Sequence, residues 1–425
     1  MSEAGAIAGS TTGSRRGSLV ERWAGATLAR GLEGLRHGSL TIREPGVETR
    51  YRGDLPGPEV NIAVHDAAFY RRMLLDGENG AGESYILGEW SSDSVTDAVT
   101  LGILNRRSLK RGSPLFWLGA IGAWVAHQTR ANTRRRAARN IHEHYDLGND
   151  FFELFLDPTM TYSCAYFDDP AAPFAELDRT LEAAQIAKYR RIAEKAGLSP
   201  GDHVLEIGCG WGGFAEVAAS EYGCRVTGLT ISREQAAFAR ARIEAAGLHD
   251  QVSIELRDYR TLAEAGGAPD RPYDHVVSIE MLEAVGHRFL PRYFETIDGV
   301  LARGGRAVVQ VITIPDERYL RYRMRPDYIQ KFIFPGAHLP SLGAMTRAMR
   351  RTELRIADRE DLAPHYAPTL ATWRRRLLAR RAEAAALGFD EAFMRRWEFY
   401  FAYCEAAFAT RHVANYHLVL DRLGP

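Results

Sequence analysis

Lysine is almost missing from this 425-residue chain. It stands only at 110, 188, 195 and 331, and the rest of the 54 basic residues are arginine. Net charge is missing too, because 54 acidic residues balance the basic ones. No overall positive field draws the protein to nucleic acid. Cysteine is scarce, at 164, 209, 224 and 404. Those spacings fit neither a zinc site nor a disulfide framework, so no metal is expected and a reducing cytoplasm suits the chain. No run approaches the roughly 18 apolar residues of a transmembrane helix. Residues 1–17, rich in Ser, Gly, Thr and Ala, lack a long apolar stretch and read as a disordered tail, not a signal peptide. Apolar and charged fractions of 46% and 25% are ordinary for a globular protein, and the length allows two cores.

What is present begins with Val204-Leu205-Glu206-Ile207, a short apolar run that reads as a buried parallel strand. It stops at Gly208-Cys209-Gly210-Trp211-Gly212-Gly213, and a helix begins at Phe214. Glycines remove the Cβ atoms that would keep a ligand off the backbone. In an open α/β sheet this turn is where a nucleotide-like cofactor lies. The spacing Glu-x-Gly-x-Gly-x-Gly resembles the first motif of S-adenosylmethionine-dependent methyltransferases. A sulfonium cation and a zwitterionic amino acid need open backbone and a nearby carboxylate, Glu206, more than a cluster of amide donors. A Rossmann turn for some other nucleotide is the competing reading of this segment.

Strands are expected at Leu40–Arg43 and Val60–Val64, with an aspartate-capped helix over Asp66–Leu75, in an α+β domain spanning 18–104. In the 105–140 region, Pro114–Ala126 is uncharged and holds Trp117 and Trp124 between arginine clusters. Such a helix suits the surface of an anionic phospholipid bilayer; a buried linker helix is the alternative. From 141 to 425, strands at 204–207, 225–230, 252–256, 273–279 and 307–312 alternate with helices. That order implies a Rossmann-like, doubly wound α/β sheet. At the second strand's end Thr230, Ser232 and Gln235 offer hydrogen bonds to a cofactor ribose. Asp258 suits an adenine amino group, with Tyr259 or Arg260 against the ring.

Further motifs make a sharper resemblance. His144–Phe152, Met160–Phe167, Leu205–Gly213, Thr230–Gln235, Asp258–Arg260, Met281–Gly286 and Ile333–Gly336, with Gly82–Tyr85 nearer the start, are similar to the signatures of cyclopropane-fatty-acyl-phospholipid synthases. The match runs from about residue 60 to the C-terminus. The resemblance implies a class I methyltransferase fold with a smaller lipid-binding N-terminal domain. It implies a cytoplasmic enzyme peripheral on the inner membrane, acting on unsaturated acyl chains, with a homodimer left open.

In that family a cis double bond attacks the sulfonium methyl, and a base then removes a methyl proton as a ring closes. Aromatic faces steady the cation; Tyr145, Tyr162, Tyr166, Phe167, Phe332 and Phe334 are available. The family base is bicarbonate, whose holders correspond to Glu283, Tyr366, Cys164 and the backbone at Ile312. Gln310 replaces the family histidine, so anion binding survives but a histidine relay does not. Tyr162, Ser163 and Cys209 join the cofactor positions Glu206, Gly208, Gly210 and Gly212. Glu280 is a rival acid for Glu283. Cys164 also reads as a small buried residue, and Cys404, matched to a family cysteine, as a structural helix residue. Related acyl-chain enzymes leave a methyl or methylene branch instead of a ring, and small-molecule methyltransferases share the cofactor fold.

Overall fold

The computed structural model describes residues 18–109, 147–262 and 272–423. The tail at 1–17, the arginine-flanked Pro114–Ala126 segment and the start of the His144 motif, Tyr145 included, lie outside the described residues. The chain divides into two compact units, with the division between residues 116 and 117.

The first unit comprises α1 (Leu19–Leu32), β1 (His37–Glu44), β2 (Val47–Arg52), β3 (Leu55–Val64), α2 (Ala68–Asp76), α3 (Glu78–Ile86), β4 (Trp90–Ser92) and α4 (Val95–Leu109). Its sheet runs β2-β1-β3-β4. Gly46, at φ 80°, makes the two-residue turn between β1 and β2. Both strands expected here exist but are longer, and β2 and β4 add to them. Strand β2 is almost wholly exposed, so it shows no buried alternation to read. The N-cap of α2 is Ala67, without a side-chain cap, so the expected aspartate cap is not formed; Asp66, one residue earlier, receives the Ala68 N–H at 2.9 Å. Within Gly82–Tyr85, Glu83 accepts from Arg72, and Ser84 and Tyr85 both pack on Trp90.

The second unit contains α5 (Phe174–Ala196), β5 (His203–Ile207), α6 (Gly213–Tyr222), β6 (Arg225–Thr230), α7 (Arg233–Ala245), β7 (Val252–Leu256), β8 (Tyr273–Ile279), α8 (Leu290–Val300), β9 (Leu301–Thr313), β10 (Leu354–Asp361), α9 (Ala363–Ala379), α10 (Glu391–Ala409) and β11 (Ala414–Arg422). Its seven-stranded sheet has the order β10-β11-β9-β8-β5-β6-β7. The five strands from β9 to β7 are mutually parallel, as the alternation of strands and helices predicts. Strand β11 is antiparallel to both β9 and β10, so the sheet is mixed and not wholly parallel. β10 and β11 escape the sequence reading. β10 is a charged, exposed edge, and β11 carries buried Asn415 and His417 where apolar residues would mark a strand.

Neighbouring residues of the central strands face opposite sides. Leu205, Val276 and Val309 join Tyr293, Phe294 and Ile297 of α8. Val204, Val277 and Val308 pack with Phe214 of α6 and Ala239 of α7. Period-two alternation with both faces covered is what a doubly wound sheet requires. Each fully buried aliphatic side chain stabilises it by about 1.5–3 kcal/mol. Chain order reverses between β5 and β8, which opens a crevice at the strands' carboxyl ends.

Candidate active site

The glycine turn follows β5 into that crevice. Gly208, Gly210 and Gly212 all have positive φ. A Cβ on Gly208 would come within 2.7 Å of Met281, so this turn lies directly against the loop after β8. A Cβ on Gly210 would meet nothing within 4 Å, which leaves space over the backbone. Cys209 is buried beneath the turn against Gly228. Glu206 is buried, and its Oε2 accepts no hydrogen bond. Burial pushes its carboxyl up to about 8, opposed by the Lys188 ammonium. An unsatisfied carboxylate oxygen beside open glycine backbone fits a cationic amino-acid cofactor such as S-adenosylmethionine.

Around the crevice stand the other expected cofactor residues. Ser232 caps α7 by accepting the Gln235 N–H at 3.3 Å, and the Thr230 hydroxyl donates to Gln235 Oε1 at 3.0 Å. Asp258 and Arg260 form a close pair, with the guanidinium Nε 2.9 Å from Oδ1. Tyr259 packs edge-on against Tyr293. These groups share the carboxyl ends of β6 and β7, as expected, but Asp258 is already neutralised by its neighbour.

Glu280 and Glu283 follow β8. The sequence reading favours Glu283 as partner of Tyr366, Cys164 and Gln310; the structure turns those three on Glu280. Glu280 Oε2 accepts from the Tyr366 hydroxyl at 2.5 Å. Its Oε1 accepts from the Cys164 N–H at 3.1 Å, Gln310 Nε2 at 2.7 Å and Asn415 Nδ2 at 2.7 Å. Glu283 instead accepts only the Ile312 N–H, at 2.6 Å, and its other oxygen is buried without a partner. The reason is local geometry. Glu280 has φ 49°, which aims it across the sheet end, while Glu283 sits in the short 3-10 turn Leu282–Ala284, against β9. Burial, then the charge of Glu280, pushes Glu283 up to about 8. Burial also raises Glu280, but bonds from Tyr366, Cys164 and Asn415 and the charge of Lys188 oppose it. Four donors favour the ionised form of Glu280, whereas Glu283, with one donor, favours the protonated form.

The donors expected to hold bicarbonate are thus taken by the chain's own carboxylates. A second anion would have to displace Glu280 and would face its charge. The residues do not fit bicarbonate in this arrangement.

Gln310 is fully buried and fixed from both sides, since its Oε1 accepts from His417 Nε2 at 3.0 Å. Burial lowers His417 to about 4, so its ring is neutral. Lys188, fully buried on α5, donates to Ser163 Oγ at 2.7 Å. Burial lowers it to about 8, opposed first by Glu280. Lys188, Asn415 and His417 were not picked out from sequence. Lys188 had a readable signal: it stands on the apolar stripe of α5 with Leu177, Leu181, Ala184 and Ile192.

The expected aromatics divide. Tyr162 donates to the Tyr400 hydroxyl at 3.0 Å and packs on Trp373, which meets Tyr366 edge-on. Phe334 contacts Tyr400, and Phe332 contacts Tyr328. Tyr166 leaves this wall to stack on His365 and donate to Glu360, and Phe167 is buried core. The Cys164 thiol is buried and pushed up by burial, so its contribution to the cluster is its backbone N–H. Burial likewise raises the Cys404 thiol on α10. Cys404→Ala is therefore expected to leave turnover unchanged and to cost about 1 kcal/mol of stability. A collapse of kcat with cofactor binding intact would make that thiol catalytic.

Comparison with known proteins identifies the family. The mycolic acid cyclopropane synthetase family matches residues 132–418. The chain is 44% identical over 359 residues to the tuberculostearic acid methyltransferase UfaA1 of Mycobacterium tuberculosis, covering 84% of this chain and 82% of that protein. It is 35% identical over 362 residues to the cyclopropane-fatty-acyl-phospholipid synthase of Escherichia coli K12, covering 85% and 88%. The crystal structure of mycolic acid cyclopropane synthase CmaA1 with SAH and CTAB superposes with a TM-score of 0.59 at 31% identity, over 67% of this chain and 98% of that one. The chain belongs to the mycolic acid cyclopropane synthetase family and is an S-adenosylmethionine-dependent methyltransferase.

Proposed function

We propose that this enzyme methylates the cis double bond of an unsaturated phospholipid acyl chain and closes a cyclopropane ring. The observation that carries the reading is a half-buried carboxylate, Glu280, held by four donors beside the glycine turn and next to the aromatic wall of Tyr366, Trp373 and Tyr162. When bound, S-adenosylmethionine supplies an electrophilic methyl. An isolated alkene is a weak nucleophile, so the protein must exclude water and align the chain. The aromatic wall does the first and steadies the cation that follows. A base is then needed to take a proton from the new methyl.

Access from a bilayer surface belongs to the same proposal. Among the described residues no helix is long and apolar enough to cross a membrane. Leu320 and Met324 of the helix Asp316–Met324 are exposed beside Arg321, a combination that suits anionic headgroups.

A branched product is the second reading, and the 44% identity to a tuberculostearic acid methyltransferase favours it. A trideuteromethyl donor and vesicles of unsaturated anionic phospholipid separate the two. A ring retains two deuteriums and resists hydrogenation; a methylene branch retains two and is reduced. A saturated branch formed without loss of a methyl proton retains three. Label in a water-soluble acceptor and none in lipid would overturn both readings in favour of a small-molecule methyltransferase.

A further inference from the structure

We propose that Glu280 is itself the base that removes the methyl proton, a carboxylate built into the chain where bicarbonate was expected; the assignment rests on the acyl-chain reading above. Its oxygens occupy a cup assembled from four separate segments. These are the Cys164 backbone, Gln310 on β9, Asn415 on β11 and Tyr366 on α9. Such convergence of donors is what an anion site requires, and here the anion is covalently part of the protein.

The backbone at this position has a conformation that glycine adopts more readily than a side-chain-bearing residue. Glu280 is one of three described non-glycine residues with positive φ, at 49°, and its N–H is tied to the Gln310 carbonyl at 2.9 Å. A side chain in the left-handed region is strained, and glycine would avoid that strain. That conformation brings the carboxylate into the cup. The next residue, Met281, touches the cofactor turn at Gly208, so the base stands beside the methyl donor's site.

Proton transfer ends at Glu280. A C–H bond of the transferred methyl breaks, and its electron pair forms the second ring bond. The proton goes to the Glu280 carboxylate, which becomes a carboxylic acid. Gln310 cannot carry that proton onward, and its amide is already oriented by His417. Glu280 therefore returns the proton to water after product leaves. Glu283, with one donor and its carboxyl pushed up to about 8 by burial and by Glu280, favours its neutral form there.

The test uses the full-length enzyme in carbonate-depleted buffer, with the labelled donor and unsaturated phospholipid vesicles. Wild-type turnover is expected to be insensitive to added bicarbonate. Glu280→Gln should lose roughly 10²–10⁴-fold in kcat while binding cofactor normally. Glu280→Gly relieves the backbone and empties the cup, and bicarbonate should restore part of its activity. Stimulation of the wild type by bicarbonate would overturn the proposal. So would a Glu280→Gly enzyme fully active without bicarbonate, or equal loss of cofactor binding and turnover in Glu280→Gln. A wild type that binds cofactor yet labels no acyl chain defeats the acyl-chain reading instead, a result distinct from labelled lipid that needs bicarbonate.

Discussion

Tyr366→Phe is expected to lower kcat at neutral pH by roughly 10- to 100-fold, the equivalent of one hydrogen bond to a charged group. Its KM for the cofactor should not change, and the acid limb of the pH–rate profile should move to higher pH. The Tyr366 hydroxyl lies 2.5 Å from Glu280 Oε2 and stabilises the ionised carboxylate. Glu280 must be ionised to accept a proton. Burial already raises its carboxyl above the ordinary range, so activity is present above that raised value and is lost as pH falls through it. Removing the hydroxyl takes away the largest force opposing burial, and the loss of activity begins at higher pH. Phenylalanine keeps the stacking on Phe408, whose ring centroid is 4.4 Å away, so the fold should survive. An unchanged acid limb in Tyr366→Phe would separate this tyrosine from Glu280.

Glu206→Gln should weaken cofactor binding by roughly 10- to 100-fold, from the loss of about 1.5–3 kcal/mol of charge-assisted bonding. The wild-type carboxyl, pushed up to about 8, must lose its proton before it can meet a cation. Affinity is therefore highest above about 8 and declines as pH falls below it, and the glutamine variant should lose that dependence. Stability moves the other way. The folded protein holds a proton on Glu206 that an unfolded chain, at an ordinary 4.5, releases. The favourable contribution is complete below 4.5 and disappears as pH rises through about 8. Glutamine removes this pH term, so the variant should melt no lower than wild type at pH 8. Calorimetric titration across pH checks the first result and thermal melts the second. Wild-type affinity with wild-type pH dependence in the variant would sink the assignment.

Where the sequence succeeded, a local signal was sufficient. The run Val204–Ile207 and its glycines mark a strand and an open turn, because both depend on residues adjacent in the chain. The five parallel strands follow from the same local patterns. Strand β10 stayed hidden because an exposed edge has no apolar alternation, and β11 because its inward Asn415 and His417 look like surface residues. Lys188 was legible in principle as a charge on an apolar stripe.

The active-site carboxylate was a different kind of question. Glu280 and Glu283 are three residues apart; the Met281–Gly286 motif points to Glu283, and no local signal shows that Glu280 reaches Tyr366 instead. The sequence by itself determined the glycine turn after the first parallel strand, the family and part of the set of groups available for chemistry, Asn415 and Lys188 not among them. Only tertiary structure decided that Tyr366, Gln310, Asn415 and the Cys164 N–H all close on Glu280. Those groups lie 30 to 135 residues from it along the chain. Their convergence depends on strand register and on one positive φ, and neither is written in any contiguous segment.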